Sequence, residues 1–136
     1  MRDIANDIGR ERIAQTVTAF YAQVRQHPTL SIPFARVDDW PHHLEVLIQF
    51  WWVSLGGERY LGYDYQVPAK HAAAGFTPEL LVDWLALFKQ TLESHLPADL
   101  AAAWYARAER IGNSLRMLHE DGHMPGLQIE QASDKP

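Results

Sequence analysis

Four side chains hold most of the chemical potential of this sequence: His71, Tyr21, His43 and Trp84. His71 ends the proline-opened segment Tyr65-Gln66-Val67-Pro68-Ala69-Lys70-His71, ahead of the break Gly75-Phe76-Thr77-Pro78. A neutral imidazole on so short a segment can ligate a metal. A lone histidine is by itself more often a core or surface side chain, so its meaning depends on what faces it. Here aromatic-rich helices carry three hydrogen-bond donors. Tyr21 offers a phenol, His43 an imidazole and Trp84 an indole, each on an otherwise apolar face.

The elements that position these groups are helical. Ile13, Val17, Phe20, Tyr21 and Val24 follow three-four spacing, and this helix ends by His27-Pro28, because a residue before proline disfavours helical backbone. Thr29 to Phe34 reads as an irregular or single-turn stretch, followed by Asp38-Asp39 and by Pro41 in a first helical turn. Leu44, Leu47, Ile48, Trp51, Trp52 and Leu55 make the next apolar stripe, which stops at Gly56-Gly57. Arg59 to Val67 reads as a loop and Pro68 to Ala74 as a short helix holding His71. Thr77-Pro78 caps a helix bearing Leu81, Trp84, Leu85, Phe88 and Leu92, which ends at His95-Leu96-Pro97. The last helix spans about Ala98 to Glu120, with Leu100, Trp104, Ala108, Ile111, Leu115 and Leu118 inward. The fold class expected is all-α, in one domain over 1–120, with a polar tail over 121–136.

Bulk properties narrow the classes. A chain of 136 residues, 47% apolar, can bury one core, and fifteen aromatics, five of them Trp, can wall a flat ligand. The net charge of -5 argues against a nucleic-acid surface, which needs clustered basic residues. Arg107, Arg110 and Arg116 recur on the last helix and read as a solvated face. With no cysteine, disulfides and thiolate ligation are excluded. No apolar run approaches the ~20 residues of a membrane span, and the N-terminus lacks the apolar core of a signal peptide, so a cytoplasmic protein is expected.

A helical protein that binds haem needs an imidazole on one side of the iron, and an apolar wall with a few donors on the other. His43, Leu47 and Trp51 are spaced four apart and share a helix face. The ordered set Phe20-Tyr21-Xaa-Xaa-Val24-Arg25, Pro33-Phe34, Trp40-Xaa-Xaa-His43, Phe50-Trp51, Lys70-His71 and Trp84-Leu85-Xaa-Leu87-Phe88 resembles the truncated haemoglobins, most closely their third group. The resemblance spans roughly Ile13 to Ser114. It implies a truncated globin fold, in which a two-over-two helical sandwich encloses haem b. It implies His71 as the iron ligand, Tyr21, His43 and Trp84 as the distal ligand-binding set, and Phe20, Phe34, Leu47, Phe50, Trp51, Lys70 and Phe88 around the haem. Ser31-Ile32-Pro33-Phe34 departs from the family's usual order, and Trp52 is bulkier than expected. Lys70, Arg59, Tyr60 and Tyr65 suit haem propionates by chemistry alone.

The resemblance further implies binding of dioxygen, carbon monoxide or nitric oxide at iron. Strong distal donors suit nitric oxide dioxygenation or peroxidase-like turnover better than oxygen transport, and such turnover needs a separate reductase. No nucleic-acid or membrane partner is expected. Two other readings stand beside this one. A haem-free helical binding or sensor module would use the aromatic pocket for a partner helix or lipid. A mononuclear-metal hydrolase would use His42, His43 and nearby aspartates. Trp40 and Trp104 read as packing, His42 as solvated, and His119 and His123 as a weak pair at the end of the last helix.

Overall fold

The computed structural model describes residues 3–35, 37–58, 60 and 77–121, and every regular element among them is helical. In chain order these are α1 (Ile4–Ile8), α2 (Arg10–Val24), a 3-10 turn (Ile32–Phe34), α3 (Trp40–Ser54), α4 (Pro78–His95) and α5 (Ala98–Asp121). The segment 59–67 (but for Tyr60), the stretch 68–74 with Lys70 and His71, where a short helix was expected, and the tail beyond Asp121 lie outside the described residues.

Local chemistry sets the boundaries. Asp3 caps α1, Asp39 caps α3 by accepting from His42 N at 3.2 Å, and Thr77 caps α4 by accepting from Leu80 N at 3.2 Å. The helix α2 gives out at Val24, slightly before Pro28. The His27 ring takes over the turn that follows, its Nδ1 accepting from Thr29 N at 3.2 Å and Leu30 N at 3.1 Å. The short helix α1 was not foreseen. Five residues give too few turns for a periodic signal, and Gly9, at φ 95°, lets the chain turn directly from α1 into α2.

The end of α3 is held from several directions. Gly56 N–H donates to Val53 O at 3.0 Å and Gly57 N–H to Trp52 O at 2.8 Å, with Gly56 at φ 113°. This is the Schellman arrangement, in which a left-handed glycine turns the last carbonyls back onto the chain. Leu55 O accepts from Ala5 N at 3.0 Å, tying α1 to α3. Arg107 Nη1 donates to Ser54 O, and its Nε is buried. The arginine therefore departs from the solvated face expected of it. A cation at a helix C-terminus meets the negative end of the helix dipole, and this draws it inward.

The core lies where α2, α3, α4 and α5 meet. Ile13, Val17, Phe20 and Val24 of α2 are fully buried, as are Phe88 and Leu92 of α4 and Trp104 of α5. Burying such side chains gives about 1.5–3 kcal/mol each relative to exposure. The two helices α4 and α5 form the closest pair, and a Cβ added at Gly112 would sit 3.2 Å from Leu81 Cδ1. Buried hydroxyls are satisfied locally. Thr16 Oγ1 donates to Arg12 O at 2.8 Å and Thr91 Oγ1 to Leu87 O at 3.0 Å, while Gln23 Nε2 donates across to Thr91 Oγ1 at 3.1 Å. None of the described helices is long and apolar enough to cross a membrane.

Candidate functional site

Tyr21, on the inward stripe of α2, is 4% exposed. Its ring meets Phe20 edge-on at 4.9 Å between centroids and Phe34, from the 3-10 turn, at 5.6 Å. Proline in that turn leaves no backbone donor at Pro33 and presets its backbone, and so helps to hold Phe34 against Tyr21. Phe20 then passes the contact to α4, meeting Trp84 at 5.0 Å and Phe88 at 4.8 Å. The donor-bearing helices α2 and α4 thus meet through Phe20, with Phe34 on the other side of Tyr21.

On α3, His43, Leu47 and Trp51 share the inward face, as four-residue spacing requires, with His43 half-buried and the other two buried. Trp51 stacks on Phe88 at 5.5 Å and 24°, and Phe50 packs edge-on beside it at 5.1 Å. The His43 ring lies 6.4 Å from Phe34 and 5.3 Å from Trp40, perpendicular to the indole at 89°. His42 turns outward, 4.0 Å from Glu45 Oε1. Among the described residues no three histidine or carboxylate side chains group closely enough to hold a metal, which tells against the hydrolase arrangement around His42 and His43.

Trp84 is 7% exposed, and its Nε1 is buried with no acceptor among the described residues. A buried donor left unpaired costs roughly 1–3 kcal/mol. Trp104 Nε1 shares this condition, but its ring is enclosed in the core between Trp51 at 5.8 Å and Phe88 at 5.6 Å. Its expected packing role holds.

The structure therefore brings together Tyr21, Phe20, Phe34, His43, Leu47, Trp51, Trp84 and Phe88, while His71 and Lys70 lie outside the described residues. Two neighbours were missed by sequence reasoning. Trp40 sits 6.1 Å from Tyr21 and 6.2 Å from Phe34, and the Arg25 guanidinium lies over its ring at 4.6 Å. The motif Trp40-Xaa-Xaa-His43 held the signal for Trp40, since i, i+3 residues share a helix face. Arg25 ends the motif Phe20-Tyr21-Xaa-Xaa-Val24-Arg25, but nothing in the sequence pointed to its place over Trp40.

Two features first read only as departures or as chemistry now have places. The Trp52 indole folds over Gly57 and donates to Glu58 O at 2.8 Å. Tyr60 N–H donates to Gln49 Oε1 at 2.8 Å, and its ring lies under the Arg10 guanidinium at 4.3 Å. Burial raises the Tyr60 pKa, Arg10 partly offsets this, and Glu45 adds to it. Compared with models of protein families, with curated proteins and with solved structures, the chain matches none.

Proposed function

We propose that this chain is a b-type haem protein of truncated-globin architecture, binding dioxygen or a related diatomic ligand against Tyr21, Trp84 and His43. The observation that carries the reading is Trp84 Nε1, a buried donor without an acceptor among the described residues, on a ring that shares Phe20 as a neighbour with buried Tyr21. A protein keeps such a donor at a cost in stability, and a ligand that accepts the hydrogen bond offsets it.

The types of side chain present suit the group. Phe20, Phe34, Leu47, Trp51 and Phe88 form an apolar, ring-rich wall of the kind a planar macrocycle requires, with few polar atoms set into it. Haem b, when bound, supplies an iron able to take up a diatomic ligand and exchange electrons with it. His71 is proposed as the iron ligand. The Tyr21 hydroxyl and the Trp84 indole bind and orient a ligand that gains negative charge, where a charge-assisted bond is roughly twice as strong as a neutral one. The half-buried His43 stands at the outer end of this set. Nitric oxide dioxygenation or peroxide turnover, with electrons from a separate reductase, is the chemistry that two firm donors favour.

The deciding experiment is an absorption spectrum. The purified protein should be red, with a Soret band that moves under carbon monoxide, and His71→Ala should lose haem retention. Protein that stays colourless after incubation with haem would sink the reading. A Soret band unchanged in His71→Ala would remove His71 from the iron.

A further inference from the structure

We propose that Trp40, clamped by Arg25, is the positioning residue that fixes the His43 ring and sets access to the Tyr21 end of the pocket. The inference rests on the ligand-pocket reading above. Trp40 is the first residue of α3, and its backbone is pinned by the Asp39 cap and by Pro41 in the first turn. Its ring reaches both polar neighbours, with His43 at 5.3 Å and Tyr21 at 6.1 Å.

The same ring is only half-buried, whereas Tyr21 beneath it is 4% exposed. Arg25 is exposed, at the C-terminal cap of α2, and its guanidinium lies 4.6 Å from the Trp40 centroid. That cation–π contact joins the end of α2 to the start of α3 across the outer edge of the cluster. A half-buried indole, packed on rings along its inner side and covered outside by an exposed cation, can swing outward more easily than a core tryptophan. With Trp40 in place, His43 stands perpendicular to it and Tyr21 is shielded from solvent. With Trp40 displaced, His43 loses the ring it packs on at 5.3 Å.

The test uses full-length protein and two readouts. In the NMR spectrum of diamagnetic protein, with or without haem, Trp40→Ala should move or split the His43 ring signals and Trp40→Phe should largely keep them. In haem-loaded protein, carbon monoxide should associate about five- to tenfold faster in Trp40→Ala, the scale of one lost aromatic contact. Arg25→Gln, at an exposed site that leaves the fold intact, should accelerate it about threefold. His43 signals unchanged in Trp40→Ala, or association rates unchanged in both Trp40→Ala and Arg25→Gln, would overturn the proposal. A chain that takes up no haem defeats the functional reading alone, and the His43 signals then decide the role of Trp40.

Discussion

Trp84 and Tyr21 present the same question at the scale of single side chains: whether a buried polar atom serves the fold or a ligand. The two answers predict opposite trade-offs for Trp84→Phe. If the indole N–H serves a ligand, its removal leaves the stability of ligand-free protein within about 1 kcal/mol, because the desolvated donor goes with it. Ligand release then quickens. Tyr21→Phe should speed dioxygen release by about one to two orders of magnitude, the effect of losing a charge-assisted bond. Denaturant melts and stopped-flow off-rates separate the cases. A large loss of stability with unaltered off-rates would mark Trp84 as an ordinary core residue. The spacing of Tyr21, His43, Leu47 and Trp84 was legible because three-four periodicity puts them on inward faces. Arg25 was not, because a guanidinium over a ring on another helix leaves no periodic trace. Arg107 was misread for a related reason. Its Nη1 is drawn to the free carbonyl of Ser54, on a helix far away in the chain.

At the scale of elements, caps and breakers did most of the delimiting. Pro41, Thr77-Pro78, Gly56-Gly57 and Leu96-Pro97 stand at the ends of the helices they were expected to bound, or within a residue of them. What spacing did not reveal was why Trp52 is so large. Its indole occupies the space in which a Cβ on residue 57 would stand. Gly57→Ala should therefore force the ring aside or reopen the turn, at about 1–3 kcal/mol as for other overpacking changes. Chemical denaturation measures this directly, and a loss near zero would mean that the ring yields freely. Since Trp52 also donates to Glu58 O, the variant should loosen the chain just beyond α3.

For the whole molecule, the all-α class and the inward stripes were legible, but the partners of each stripe were not. An amphipathic helix announces that it has a buried face without naming what covers it. That α2 meets both α3 and α4, and that α1 folds back to touch α5, comes from tertiary packing. One consequence concerns the two ends of α3. Its last turn is tied to α1 through Ala5 and to α5 through Arg107, whereas its first turn has Asp39, a cap from the preceding residue in the chain. Opening the far end breaks hydrogen bonds to two other helices, whereas the contacts described at the near end are a local cap and the ring and cation–π contacts of Trp40. Amide hydrogen exchange should thus be graded along α3, slowest near Leu55 and fastest near His43. Uniform protection would deny the gradient. A helix anchored so unequally behaves as a lever with a fixed heel, and His43, the α3 residue proposed to meet the ligand, sits toward its other end.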